Sequence, residues 1–573
     1  MLKTLLYNLK KSNWKLWGFF LLIFIFGTPL LILTDFPQRD VVHRYIPMAE
    51  AFARGDWMYA FHPRVQMLHP TFSGIFAWLF SVNGFIGTQI SGLFFYAIGI
   101  FPLFHLLKEV FGKRIAYWGI FAYVFSSRLL QLSVTGVREP HKQFVILLLT
   151  LGVILVYKYR QSLKGYIAAG IACGLTVCVR NDTILFATII FAFCAVLDVY
   201  KNKLPWRSAL AGLVAIVFSI PELFINYKIT GYVLPGSRFL EVFTENFHRP
   251  PTLANTAEIV LIAFVVTFLI YLPLLGWILR RKYGKFICTA ILLAGAGFVC
   301  FKILNTDFRC NAEDADITLK NTFYGMLPLL FFLMLPGLLY RIFRKKFTSA
   351  EWILLGIFLL QGCLIYLQYI SSNKVLYTSS RYLLPGTPLY FGWLGFTAML
   401  IWRILAKLKM NKKQQMATGT FLVIVFMLGS YSEALYVSSY THGKGKLVLS
   451  KKQTHEIAAI IRNDYKGKKY WTPEFDLLNY KSNCYPTVWI SMKERYSAAA
   501  YYSGGSYCKT MKDAVYVVLE ENKKLSAAHY EKVGAPVWDK ETKIQVWKRK
   551  PFKKQTKPKQ QKAKKKAEKR RKS

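Results

Sequence analysis

The sequence predicts an all-α polytopic membrane domain of about 13 transmembrane helices, followed by a small α/β domain outside the membrane. Three observations predict it. The 573 residues are 54% hydrophobic and only 18% charged, below the roughly one quarter charged that soluble domains carry. Mean hydropathy is +0.29, and apolar runs of membrane length recur as far as residue 437. Beyond that point the pattern changes to short helix-like and strand-like stretches.

A bilayer core takes about 20 apolar residues per helix. Runs of this kind lie near 17–34, 88–107, 115–131, 143–157, 165–179, 183–198, 208–224, 256–278, 286–304, 323–340, 351–370, 383–405 and 417–437. The fifth and sixth are short and back to back. The segment 71–85, TFSGIFAWLFSVNGF, is apolar but too short to cross. It is expected to be a helix at, or dipping into, the membrane surface. The first run follows MLKTLLYNLKKSNWK, and no small-x-small cleavage pattern precedes Asp35. It therefore reads as an uncleaved anchor.

Charge orients the bundle. With the amino terminus inside and alternating crossings, the inner segments collect Lys108/Lys113/Arg114, Arg280/Arg281/Lys282/Lys285, Arg341/Arg344/Lys345/Lys346 and Lys407/Lys409/Lys412/Lys413. The outer segments are nearly balanced in sign. This is the positive-inside asymmetry, and it predicts a cytoplasmic amino terminus in a multi-pass protein of the cytoplasmic (inner) membrane. Much of the net charge of +45 is thereby assigned to loops facing the cytoplasm, so no nucleic-acid partner is needed.

The odd number of crossings leaves 439–550 extracytoplasmic. HEIAAIIRNDY, KKYWTP, AVYVVLEEN and KIQVWKR in that region read as a small α/β domain. From Pro551 on, 12 of 23 residues are Lys or Arg, a disordered polybasic tail by composition. Its side is left open. No Cys-x-x-Cys pair occurs, which argues against a zinc or redox site. Cys484 and Cys508 either pair in an oxidising space or remain free thiols.

The polar residues of chemical interest gather in segments of the outer side. The first external loop, 35–87, opens TDFPQRDVVHRYIPMAEAFARGDW. Asp40 and Arg44 lie four apart, so a helix puts them on one face, with Tyr45 adjacent. That helix should end at Gly55, and FHPRVQMLHP after it should be irregular. Further clusters are TGVREPHK (135–142), CVRNDT (178–183), VLPGSRFLEVF (233–243), NTDFRCNAEDAD (305–316) and TSSRYLLPG (378–386). A carboxylate beside an arginine at a membrane surface suits proton abstraction from an acceptor next to a basic phosphate site. The same spacing equally describes a solvated amphipathic helix with a surface ion pair. Arg180 and Asp182 sit between two apolar runs, where charge is a functional suspect. They are also placed to brace a helix hairpin as an ion pair. Arg238, after Pro235-Gly236, is either a phosphate ligand or a solvated loop arginine. His43, His62, His69 and His141 lack a His-x-x-x-His spacing and read as acceptor contacts or surface residues. The Glu313/Asp314/Asp316 run reads as solvated loop acids, with a divalent metal the alternative.

The order of these features carries a resemblance. An amino-terminal span is followed by a long acidic loop with D…RY…A…GDW…P, a surface helix, VREP and a late RYLLP. Over residues 15–405 this resembles the GT-C superfamily of integral-membrane glycosyltransferases. It is closest to the protein mannosyltransferase-like branch, with the lipid A aminoarabinose transferase and the bacterial RgtA/B/C/D-like enzymes as relatives. The resemblance implies inverting transfer of a sugar from a polyprenyl-phosphate donor to an extracytoplasmic glycan, lipid or protein, with no required cofactor. It implies Asp40 as catalytic base, with Asp35 the competitor, and Glu139 as the second-loop acid. Where many members carry adjacent acids in the first loop, this chain has Arg39-Asp40. Arg138, Arg381, Tyr382, Arg180 and Arg238 are the expected donor-phosphate residues, and Arg44, Tyr45, Asp35 and His69 the expected acceptor or positioning residues. Two other function classes fit the same composition. One is a transporter or flippase of polyprenyl-linked sugars. The other is a membrane scaffold whose outer domain binds cell-wall polymer.

Overall fold

The computed structural model describes residues 14–34, 41–55, 57, 60–61, 65–201, 205–230, 233, 266–284, 286, 328–370, 380–408 and 410–440, and parts of 456–550. Asp35, Asp40, Arg238, the Glu313/Asp314/Asp316 run, Cys484, Cys508 and the tail lie outside the described residues. The chain divides into two units, Met1–Thr441 and His442–Ser573.

The first unit is helical. Seven described helices are long and apolar enough to cross a membrane: Trp14–Leu33, Gly84–Phe111, Glu139–Lys158, Thr183–Tyr200, Trp206–Lys228, Leu384–Lys407 and Lys412–Leu435. Leu163–Val179, Phe332–Phe343 and Ser349–Ile365 are shorter and apolar. Of the expected run 286–304, all but Phe286 lies outside the described residues. Several bounds differ from the sequence expectation. The 115–131 run is two helices, Lys113–Val124 and Ser127–Ser133. The 383–405 run opens with tight turns, Ser380–Tyr382 and Leu384–Tyr390, because Pro385 and Pro388 cannot donate to an α ladder.

Burial ranks the helices. Glu139–Lys158 is buried on all sides, as a helix with no polar stripe must be when other helices surround it. Its closest neighbour is Leu163–Val179. A Cβ on Gly152 would stand 2.7 Å from the Ala169 nitrogen, and one on Gly165 2.7 Å from that of Val156. Small residues let the two backbones touch. Trp206–Thr230 instead exposes Leu213, Val217, Ile220 and Phe224, a three-and-four stripe that suits lipid contact. Tyr96 and Tyr123 stack at 4.4 Å, and each hydroxyl donates to the other's carbonyl.

The helices run up and down, so their ends sort into two levels. At one end Gln89 Nε2 donates to the Thr34 carbonyl at 2.7 Å and the Val134 carbonyl at 2.9 Å. At the other end Tyr159 donates to Glu109 at 2.9 Å, and Lys158 pairs with the same carboxylate. Leu68–Leu79 is not long enough to cross. It begins three residues before the expected segment and takes in His69-Pro70, because proline is tolerated in a first helical turn. Val41–Tyr45 winds as a π turn leading into Ile46–Ala53, which stops at Gly55 (φ +77°) as expected.

The second unit carries a mixed five-stranded sheet. β1 is Thr487–Ile490, β2 Ser506–Tyr507, β3 Tyr516–Glu520, β4 Tyr530–Asp539 and β5 Thr542–Arg549. Their spatial order is β2-β1-β3-β5-β4. β1 pairs parallel with β2 and β3, while β5 pairs antiparallel with β3 and β4. Alternation along β3 gives each face a core. Tyr516 and Val518 pack with Ile457 and Ile461 on one side, and Val517 and Leu519 with Trp547 on the other. Ile457 and Ile461, four apart in a helical stretch, fall on one face.

Candidate active site

The Thr34 end of the bundle gathers charge. Glu139 is the first residue of Glu139–Lys158, with Pro140 next. A carboxylate and a proline are both favoured in a first helical turn. Its side chain is 1% exposed. Oε1 accepts from Arg180 Nη1 at 2.9 Å and lies 3.5 Å from Arg381 Nε. Oε2 is buried with no hydrogen-bond partner among the described residues. Arg180 terminates Leu163–Val179 in extended backbone, and Arg381 lies in the turn Ser380–Tyr382. Three chain segments far apart in sequence thus meet at one oxygen.

Tyr382 completes the corner. Arg381 Nη2 donates to its hydroxyl at 3.1 Å. The guanidiniums of Arg180 and Arg381 stand 4.6 and 5.0 Å from its ring centroid, within cation–π range. Burial alone would raise the phenol. The charges of Arg381 and Arg180, with the Arg381 hydrogen bond, outweigh it and hold Tyr382 below its ordinary value. Among the described residues two guanidiniums face one carboxylate oxygen, an arrangement that suits an anion.

A second cluster adjoins the first. Arg138 Nη1 donates to Gln66 Oε1 at 2.7 Å. The next residue, Met67, donates its amide to Glu222 Oε2 at 2.7 Å. Gly136 makes the turn before Arg138 with φ +76°. A Cβ there would stand 2.6 Å from Thr88 Oγ1 and 3.1 Å from Val41 Cγ1, so both the backbone angle and the close approach require glycine. His69 lies 3.1 Å from the Gly136 carbonyl through Nε2 and 3.3 Å from Ser73 through Nδ1. Burial, then the Arg138 charge, push His69 down to about 3. The ring is therefore neutral, and we assign the proton to Nε2, which donates to Gly136.

The expected site residues divide accordingly. Arg138, Glu139, Arg180, Arg381 and Tyr382 come together at one end of the bundle. Tyr45 is buried with its ring edge-on to His69 at 4.7 Å, and Arg44 is half-buried beside it. Asp35, Asp40 and Arg238 lie outside the described residues, as does the Asp182 side chain. Arg180 pairs with Glu139, 41 positions back; the expected Arg180–Asp182 pair lies outside the described residues. The surface reading of His69 and His141 is corrected: both are buried, with rings 4.8 Å apart. Aromatic packing and the Gly136 and Ser91 contacts hold them inside. Among the described residues no group of three His, Cys, Asp or Glu side chains could hold a metal ion. Sequence reasoning missed Gln66, Glu222 and Asn226. Glu222 lies within an apolar run, and a charge at membrane depth was the available signal.

Residues 62–225 match the family model described as dolichyl-phosphate-mannose-protein mannosyltransferase. No curated protein matches the sequence. The archaeal oligosaccharyltransferase AglB of Archaeoglobus fulgidus, solved with an inhibitory peptide and a dolichol-phosphate, superposes with TM-score 0.53 at 14% identity. The match covers 88% of this chain and 65% of AglB, so the chain spans somewhat under two thirds of that protein's length. ArnT of Cupriavidus metallidurans, solved with undecaprenyl phosphate, superposes with TM-score 0.50 at 12% identity, over 93% of this chain and 98% of ArnT. At these identities the structural likeness is one of fold. The family match covers residues of the first loop, Arg138, Glu139, Arg180 and Glu222. The chain is a multi-pass membrane protein with the fold of AglB and ArnT, and its residues 62–225 are similar to the protein mannosyltransferase family.

Proposed function

We propose that the chain transfers a sugar, with inversion, from a polyprenyl-phosphate donor to an extracytoplasmic glycan, lipid or protein. Its active face and second unit then face away from the cytoplasm. One observation carries the reading. Arg180 and Arg381 share a single carboxylate oxygen of Glu139 and flank Tyr382. Paired guanidiniums suit a phosphate, and structures of like fold were solved with dolichol-phosphate and undecaprenyl phosphate. In the proposed step an acceptor hydroxyl or amine attacks the anomeric carbon as the bond from that carbon to the phosphate oxygen breaks. The acceptor proton passes to Asp40. The polyprenyl phosphate leaves with the bonding pair, stabilised by Arg180, Arg381 and Arg138 as charge-assisted donors. A single in-line displacement inverts the configuration. Support for Asp40 comes from its neighbour, since Val41 packs against Gly136, two residues before Arg138.

Purified full-length protein with a radiolabelled polyprenyl-phosphate sugar and candidate acceptors tests this. Transfer is expected in wild type, and Asp40→Asn should abolish it while donor binding persists. A carrier would move the lipid-linked sugar without breaking the bond and would tolerate Asp40→Asn. A scaffold would do neither.

A further inference from the structure

A glutamate inside a spanning helix is costly unless its oxygens are used. Glu222, just after Pro221 in Trp206–Thr230, is 2% exposed. Both oxygens are used. Oε2 accepts the Met67 amide at 2.7 Å, and Oε1 accepts Asn226 Nδ2 at 2.7 Å. Asn226 Nδ2 also donates to the Glu222 carbonyl at 3.0 Å, which fixes the pair. Met67 is the cap residue of Leu68–Leu79. A carboxylate from another helix therefore sits at that helix's amino terminus, where the macrodipole favours negative charge. The residue before Met67 is Gln66, 1% exposed, whose side-chain oxygen receives Arg138. Arg138 Nε is buried without a hydrogen-bond partner among the described residues. The Gln66 contact is thus what fixes the rotation of that guanidinium.

We infer that Glu222 is a positioning residue of the transfer site. With Asn226 it fastens the start of Leu68–Leu79 in the first loop from a neighbouring membrane helix, and through Gln66 it aims Arg138. The kinetic consequence rests on the function proposed above; the fastening does not.

The test uses the full chain in nanodiscs with Glu222→Ala, Glu222→Gln, Gln66→Leu and Arg138→Ala. Hydrogen exchange at the Met67 amide needs no substrate. It should accelerate at least about tenfold in Glu222→Ala, because the amide loses its acceptor. Glu222→Gln keeps an oxygen for Met67 and should accelerate it less. With polyprenyl phosphate alone as probe, Glu222→Ala and Gln66→Leu should each weaken binding about tenfold, and the same loss should appear as a raised donor KM. In the Arg138→Ala background the further loss should be under about twofold, since residues acting through one another are non-additive. Losses that multiply in full, or an unchanged Met67 amide, overturn the inference. Where Glu222→Ala does not yield folded protein, Glu222→Gln and Gln66→Leu carry both readouts. If wild type transfers no sugar, the proposed function falls, and exchange and phosphate binding still decide the positioning role.

Discussion

Two buried glutamates at opposite ends of the same bundle are built differently. Glu351, fully buried, meets Arg341 in a fork, Nε to Oε1 at 3.0 Å and Nη2 to Oε2 at 2.6 Å. Thr348 donates its amide and its hydroxyl to Oε2 at 2.8 and 3.0 Å, and Trp393 approaches Oε1 at 3.4 Å. Trp393 packs on Phe111, which ends the span whose Gln89 lies at the Thr34 end. One cation faces one anion, and both oxygens are used. Glu139 carries two arginines on one oxygen, and the other has no hydrogen-bond partner among the described residues. Burial of an ion pair does not separate structure from function. Geometry does: among the described residues the closed pair spends both oxygens on one guanidinium and its neighbours, whereas the open corner sets two guanidiniums on one oxygen and leaves the other unbonded.

Removing one arginine from each corner is the strongest way to break that contrast. Arg341→Ala leaves Glu351 buried and unmatched, a loss of about 3–5 kcal/mol in similar settings. It should lower the thermal midpoint in detergent sharply, with turnover per folded molecule little changed. Arg180→Ala leaves Glu139 beside Arg381, so the midpoint should move less. Turnover with the lipid-linked donor should drop at least about a hundredfold, equivalent to 2.7 kcal/mol. Equal destabilisation of the two variants, with turnover untouched, would erase the distinction.

A smaller effect sharpens it. Arg381 could be an interfacial anchor, a task lysine performs almost as well. It instead donates through Nη2 to Tyr382 while Nε faces Glu139, a use of the planar fork that an ammonium lacks. Arg381→Lys is expected to keep expression and insertion and to cut turnover at least about tenfold, or 1.4 kcal/mol. The loss should appear with the lipid donor and spare acceptor binding. Wild-type turnover in Arg381→Lys would return the residue to an anchor.

The open corner was largely legible in the sequence, and the closed one was not. Arg138, Glu139, Arg180 and Arg381 stand out because each interrupts or flanks an apolar run, where charge needs a reason. Arg341 belongs to a basic cluster that the positive-inside pattern already explains, which hides its pairing with Glu351. Helix bounds failed where proline or polar residues sit in a first turn. His69-Pro70 and Arg138-Glu139-Pro140 looked like loop, yet Leu68 and Glu139 already open helices. The β3 and β5 strands read clearly because both are short runs rich in β-branched and aromatic residues. Thr487–Ile490 and Ser506–Tyr507 were not foreseen, being too short to show a period. Glu222 was passed over because one acid barely lowers the hydropathy of its window.

The smallest expected effect concerns the shape of the open corner rather than its charge. His69 is neutral in the fold because burial, then Arg138, hold it down to about 3. In the unfolded chain it protonates near its ordinary value of about 6.5. Above that value neither state binds the proton, and His69 contributes its packing and its bond to Gly136 in full. As pH falls below it, the unfolded state gains a proton that the folded state refuses. Stability should therefore decline by up to about 1.4 kcal/mol per pH unit, continuing toward pH 3. His69→Gln keeps a donor for the Gly136 carbonyl and removes the titration. Chemical denaturation of both proteins between pH 8 and pH 5 should show the wild type losing its advantage only on the acid side. A difference that stays flat across that range would mean the ring takes up its proton in place. The Gly136 turn would then tolerate a cation beside Arg138, and rigidity there would no longer explain how the corner keeps its arginines aimed.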